Sequence, residues 1–201
     1  MSNKNSRFKE DICYILHSFS WKETSLIVKV FSRNFGCLSM VAKGAKRPYS
    51  QLRPVLSKFS PLVLTWSGNT EMKNLVKAEI SQIISMPSEF LMPSWYLNEL
   101  ILSFLPKEDP HANLFDAYDN ALFGLSKCNI NNVIVSSILR RFEWFLLKEI
   151  GYGIDGQEPD FENKQQEPII RQILSKRIDN NLYGKILYTK KILKDLRYFI
   201  Y

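Results

Sequence analysis

The sequence predicts an α+β chain of more than one domain, a small β-barrel followed by an all-α helical domain, and three observations carry that prediction. Short runs rich in β-branched and aromatic residues, separated by polar or Gly/Pro breaks, fill the chain from Asp11 to about Gln82. Beyond Pro87 the apolar residues recur with a helical period. The positive charge also sits at the front: through Ser60 eleven Lys/Arg face three acids, whereas the remainder holds sixteen basic and seventeen acidic side chains. With 201 residues and 45% apolar content the chain is long enough to bury a core, as one domain or two small ones. The change of period divides it into 1–83 and 84–201.

Five strands are expected: Ile12 to Ser18, Ser25 to Ser32, Cys37 to Lys43, Leu62 to Trp66 and Met72 to Ile83. In the second run Leu26, Val28 and Val30 alternate with Ile27, Lys29 and Phe31, so one face is wholly apolar and the other partly so. Short strands with a longer connection between the third and fourth match a five-stranded OB-fold β-barrel. That connection, Gly44 to Ser60, is the most basic stretch of the chain and carries two prolines.

The first helical stripe is Tyr96, Leu97, Leu100, Ile101, Phe104 and Leu105, opened by Pro93 and closed by Pro106. Leu114, Phe115, Tyr118, Ala121, Leu122 and Leu125 form a second. Ile134, Val135, Ile138, Leu139, Phe142, Phe145 and Leu146 form a third, which Gly151 ends as a C-terminal cap. Asp155 to Glu167 is polar and acidic and reads as a mobile connector. Shorter helices are expected over Ile169 to Ile178 and Thr189 to Ile200. No internal repeat or low-complexity tract is present.

Several function classes lose their chemistry here. Neither GxxxxGK[ST] nor GxGxxG occurs, so no loop of glycine amides cradles a nucleotide phosphate. The two histidines, His17 and His111, belong to no HExxH pattern; His17 reads as a structural or surface residue. Cys13, Cys37 and Cys128 are odd in number and far apart, which points to buried free thiols in a reducing compartment. No catalytic residue, metal or cofactor is expected. No apolar run reaches 18 residues, and the first ten residues lack a signal core, so the expected location is cytoplasmic, away from membranes.

What remains is binding. A basic block suggests a polyanion partner, although an ordinary solubilising surface would share that composition. Single-stranded nucleic acid needs cations along the phosphates and aromatic faces under the bases. Arg7, Lys43, Lys46, Arg47, Arg53 and Lys58 supply charge, with Phe8, Trp21, Phe35, Tyr49 and Phe59 near them in sequence. A small barrel also fills its interior with such rings. Tyr49, between Pro48 and Ser50, is the best stacking candidate. In the third helical stripe Arg140 and Arg141 adjoin Phe142, at an apolar edge that could clamp an acidic, hydrophobic peptide; the alternative is a solvated pair supported by Glu143 on Arg140.

The segment ILHSFSWKETSLIVKVFSRNFGCLSMVAKGAKRPYS, residues 15 to 50, resembles the first strands and AKGA(R/K) turn of the RecO recombination mediators of bacterial DNA repair. Leu62 to Gly68, Ala78-Glu79, YLNEL from Tyr96, LFDAY from Leu114, LRRFE from Leu139 and Gly151-Tyr152-Gly153 follow in family order. The resemblance implies an OB-fold followed by a helical domain, binding of single- and double-stranded DNA, and annealing of complementary strands. It also implies two protein partners, RecR and the acidic C-terminal tail of single-stranded DNA-binding protein, from which the mediator lets RecA load. On residues, it implies DNA contact at Lys43, Lys46, Arg47 and Arg53, and tail contact at Arg140 and Arg141. The chain departs from the family in two ways. Asp155 to Glu167 lacks the cysteines of the zinc module that many members carry, and the stretch before the closing segment is shorter. An OB-fold RNA-binding or translation-associated protein is the alternative reading, distinguished by 2′-hydroxyl preference. A metal-dependent nuclease ranks third.

Overall fold

The computed structural model describes residues 8–128, 132–154 and 156–195, in two compact units. One runs through Ile84 and takes in Pro106–Ala112; the other comprises Ser85–Leu105 and the chain from Asn113.

The first unit is a closed five-stranded barrel in the order β1-β2-β3-β5-β4, with β1 Phe8–Trp21, β2 Ser25–Ser32, β3 Gly36–Ala42, β4 Leu62–Ser67 and β5 Met72–Ile80. All pairs are antiparallel except β3 with β5, which is the OB-fold arrangement the sequence predicts. The first strand is longer than its apolar run, because its two halves pair with different neighbours. Phe8 to Cys13 lie against β4 and Cys13 to Trp21 against β2, with a bulge between Ile15 and His17 that bends the strand. Inward residues Ile15, Val28, Val30, Leu38, Met40, Leu64 and Trp66 make the core. Each such side chain contributes roughly 1.5–3 kcal/mol on burial. The fifth strand stops at Ile80, short of the expected Ile83, which is 80% exposed.

The β3–β4 connection contains a helical turn unforeseen in the sequence, α1 Leu52–Val55. Leu52, Val55 and Leu56 press on the barrel core, so the loop is anchored at its middle. Asp11 ties down the β2–β3 turn: its carboxylate accepts bonds from the Asn34 amide (2.7 Å), the Asn34 side chain (2.8 Å) and the Ser32 hydroxyl. Pro106–Ala112 passes over that turn. Glu108 N–H donates to the Cys37 carbonyl (3.0 Å), and Glu108 also pairs with the buried Lys73 ammonium (2.7 Å).

In the second unit a 3₁₀ turn at Ser88–Phe90 leads into α2 Leu91–Phe104, followed by α3 Ala112–Lys127, α4 Asn132–Glu149, α5 Glu167–Asn180 and α6 Tyr188–Asp195. The three predicted stripes face inward with corrections at their edges: Ile134 is exposed, Phe104, Ile138 and Phe145 are half-buried, and Trp144 and Leu147, outside the predicted stripe, are buried. Gly151, at φ +80°, caps α4, and the following amide returns to the Leu147 carbonyl (2.8 Å). The acidic connector is anchored as well, since Phe161 is buried edge-on against Trp144, ring centroids 6.4 Å apart. The last helix was expected to reach Ile200; residues 196–201 lie outside the described residues.

Of the cysteines, Cys13 and Cys37 are buried, and burial pushes the Cys37 thiol up to about 12. Cys128 is half-buried, because α3 ends at Lys127 and leaves it at the unit's edge.

Candidate nucleic-acid interface

The bulge in β1 decides what the barrel shows to solvent. Past it, His17, Phe19 and Trp21 alternate outward, opposite Lys29, Ile27 and Ser25 of β2. The rows continue onto β3, where Lys29 pairs with Ser39 and Ile27 with Val41. Phe19 and Trp21 are 41% and 44% exposed, and the rings of His17 and Phe19 lie 6.0 Å apart. A face of two open aromatic rings beside a lysine offers stacking and charge together.

The basic loop begins beside this face. Gly44 turns the chain at φ +69°, the Lys46 amide donates to the Thr24 carbonyl in the β1–β2 turn (2.9 Å), and the Arg47 amide closes back on Gly44 (3.0 Å). Lys43, Lys46 and Arg47 are thereby exposed next to the β1–β2 turn. Tyr49 is 98% exposed and Arg53 projects from α1. Lys58 is half-buried, and burial lowers the pKa of its ammonium. It also bears on the strand face: the His17 imidazole is held below its ordinary value by partial burial first, then by Lys29 and Lys58.

The sequence-derived candidates therefore divide. Lys43, Lys46, Arg47, Tyr49 and Arg53 stand on the surface; Arg7 lies outside the described residues. Phe8 and Trp21 are exposed, whereas Phe59 is buried and Phe35 packs edge-on against Trp66 at 5.2 Å, so these two serve the barrel. Phe19 is missed as an interface residue because the expected first strand ends at Ser18, and Lys29, in the correctly placed second strand, because its exposed neighbours His17 and Phe19 come from that first strand. The alternation His17, Phe19, Trp21 was the available signal.

On the helical unit the arginine pair is split. Arg140 is 3% exposed and pairs with Glu143 (2.7 Å), whose same oxygen accepts the Tyr96 hydroxyl (2.7 Å). This corrects the expectation of a paired surface contact: Arg140 faces the core and is not available to a peptide. Arg141 is open, with its guanidinium over the Phe161 ring (5.8 Å) and 3.6 Å from Glu158. It borders a groove of about 680 Å³ between α3 and α4, where Ala121, Ile138, Phe142 and Phe145 supply apolar wall and Asp116 and Glu162 polar rim.

Among the described residues no group of three His, Cys, Asp or Glu could hold a metal ion, and no helix is long and apolar enough to cross a membrane. The arrangement can hold phosphates and bases on the barrel and a short peptide at the α3–α4 groove.

Comparison with known proteins accords with this geometry. Residues 7–84 match the family model described as Recombination protein O N terminal, and residues 94–166 match Recombination protein O C terminal. The DNA repair protein RecO of Polynucleobacter asymbioticus (strain DSM 18221 / CIP 109841 / QLW-P1DMWA-1) is 43% identical over 148 residues, covering 73% of this chain and 61% of the relative. That of Aromatoleum aromaticum (strain DSM 19018 / LMG 30748 / EbN1) is 43% identical over 171 residues, covering 84% and 69%. That of Azoarcus sp. (strain BH72) is 44% identical over 153 residues, covering 74% and 60%. The matched chain thus spans between 60% and 69% of these relatives' lengths.

Proposed function

Because this chain belongs to the recombination protein O (RecO) family, we propose that it acts in DNA repair and homologous recombination as a non-enzymatic mediator. It binds single- and double-stranded DNA through the barrel, anneals complementary strands and, with RecR, helps RecA load onto DNA coated by single-stranded DNA-binding protein. Its place of work is the cytoplasm, at the nucleoid.

The observation that carries this reading is the joining of the open rings of Phe19 and Trp21 with exposed Lys29, Lys43, Lys46 and Arg47 around one edge of the barrel. Cations there neutralise phosphates and release counterions, and the rings accept unpaired bases of any sequence. Neutralised strands approach each other without their mutual repulsion, so pairing proceeds with no covalent step. At the α3–α4 groove the tail of the coating protein would set an apolar side chain against Ile138 and Phe145 and a carboxylate against Arg141, displacing Glu158 from that guanidinium on a rim that also carries Asp116 and Glu162; Phe142, buried at 2% exposure, backs the groove and does not meet the tail.

The test is annealing of complementary oligonucleotides coated with single-stranded DNA-binding protein, in EDTA and without ATP, using tail-intact and tail-deleted coats. Faster annealing that needs the tail is the expected result. A folded protein that anneals with neither coat overturns the reading, and preference for RNA in the same buffer would transfer the barrel to RNA binding.

A further inference from the structure

The helical unit segregates its charge along the chain. Residues 113–167 carry nine acidic and five basic side chains, whereas residues 168–195 carry seven basic and two acidic. Three of those seven cations are engaged. Arg171 lies 3.9 Å from Glu167, Lys190 pairs with Asp179 at 2.6 Å, and Lys185 donates to the Ser103 carbonyl at 2.6 Å. Lys176, Arg177, Lys191 and Lys194 are exposed and have no carboxylate partner among the described residues.

These four flank one ion pair between two helices. The Lys190–Asp179 pair fastens α6 to the last turn of α5. Lys176 lies one turn before Asp179 on the same side of α5, Lys191 and Lys194 follow Lys190 within a turn, and Arg177, about 200° round α5 from Asp179, lies on the other exposed flank. Tyr183, between the helices, and Tyr188, the first residue of α6, are 79% and 66% exposed. Neither tyrosine hangs on a loose chain. The Tyr183 hydroxyl meets that of Tyr152 (2.8 Å), and Glu99 of α2 accepts the Tyr188 and Thr189 amides (2.8 and 2.9 Å), seating the start of α6.

We propose that this α5–α6 surface is a second binding site for single-stranded nucleic acid, with Lys176, Arg177, Lys191 and Lys194 on phosphates and the Tyr183 and Tyr188 rings under bases. Exposed cations beside held, open rings are the combination that tracks a strand without reading its sequence. The site deepens the proposed annealing role, because bringing two strands together requires a hold on each. It rests on that reading for its purpose, while its existence is tested separately. Ile186 and Ile192, exposed in the same region, would suit an acidic amphipathic protein segment instead, and the test includes that occupant.

The full chain is cross-linked to a bromouracil-containing oligodeoxynucleotide and the linked peptides are mapped. Four proteins are compared: the unmodified chain, a barrel variant (Lys46→Glu, Arg47→Glu), an α5–α6 variant (Lys176→Glu, Arg177→Glu, Lys191→Glu, Lys194→Glu) and the combination of the two, each checked for folding by thermal melt. The expected result is cross-links at Tyr183 or Tyr188 that persist in the barrel variant and disappear in the α5–α6 variant. In the barrel variant the slope of log affinity on log salt should fall by about 3 when the four α5–α6 cations are also reversed, from roughly 0.7 per phosphate contact on a single strand. Cross-links confined to the barrel would overturn the second site and leave the barrel reading standing. Cross-links confined to α5–α6 would support the second site and remove the barrel from DNA binding. Loss of the tyrosine cross-links to an acidic amphipathic helical peptide, with no change in salt slope between variants, would assign the surface to a protein and overturn the proposal. Replacing Lys176, Lys191 and Lys194 with arginine preserves the charge and should retain the cross-links.

Discussion

A helix advances about 100° per residue, so two adjacent side chains on α4 cannot share one environment. Arg140 is sealed in the core with Glu143 and Tyr96, while Arg141 reaches the groove rim. Arg140→Ala would strand a buried carboxylate and should lower stability by about 3–5 kcal/mol in thermal or denaturant unfolding. Arg141→Ala removes an exposed pair and should change stability by less than about 1 kcal/mol. If that groove takes the tail of the coating protein, Arg141→Ala should also weaken tail-peptide binding in calorimetry. An Arg140→Ala protein as stable as the parent would refute the buried-pair account. His17 gives a residue-scale prediction in pH. Its folded pKa is lowered from 6.5 by burial, Lys29 and Lys58, so the neutral ring is favoured in the free protein. The stability this contributes is present above pH 6.5 and lost as pH falls below it. A bound polyanion favours the imidazolium, so binding takes up a proton. Affinity for a single-stranded oligonucleotide should strengthen as pH falls through this range, and His17→Gln should flatten the profile.

At the scale of elements, the β3–β4 loop and the bent first strand together make the interface. Leu52, Val55 and Leu56 fix the loop's middle and the Lys46–Thr24 bond fixes its start, so its cations are presented from a held backbone. Lys46→Ala with Arg47→Ala should reduce the salt slope for single-stranded DNA by about 1.4, uniformly across sequences, and sequence-selective loss would contradict it. Another element-level constraint is the β2–β3 turn. Gly36 sits at φ +68°, and a Cβ there would lie 2.1 Å from the Asp109 carbonyl oxygen. Backbone cannot yield as a flexible side chain can. Gly36→Ala should cost about 2–4 kcal/mol from the left-handed conformation and the overlap combined, read as a fall in melting temperature.

For the molecule as a whole, the first unit is not continuous in sequence, since Pro106–Ala112 belongs with the barrel. The buried Lys73 ammonium depends on it: its side chain is 5% exposed and its acidic partner is Glu108. Glu108→Ala should cost about 1–2 kcal/mol, discounted because Glu108 is half exposed, and the effect should shrink in high salt. Charge at this scale is also uneven in a way the two-block count hides. The near-neutral remainder beyond Ser60 contains an acidic stretch followed by a basic one, and the two cancel in a sum while occupying different residues of the helical unit.

Periodicity and charge order along the chain were enough to determine the barrel, its following helices and the basic connection, while the family came from the resemblance of its ordered motifs, AKGA and LRRFE among them, to known members. These are local or near-local properties, set by side-chain alternation and by turn residues. Tertiary structure decided the rest. The extension of β1 back to Phe8 depends on β4, far away in sequence, because a strand lengthens wherever another strand offers its amides and carbonyls, whereas its continuation to Trp21 is the local hairpin with β2. The separate fates of Phe19 and Phe59, one open and one enclosed, follow from the bulge and from barrel closure, which reverse which face a given residue shows. The i,i+3 spacing pairs Arg140 with Glu143 in sequence, but only the rotation of α4 against its neighbours tells that this pair, with Tyr96, is sealed in the core while Arg141 meets solvent.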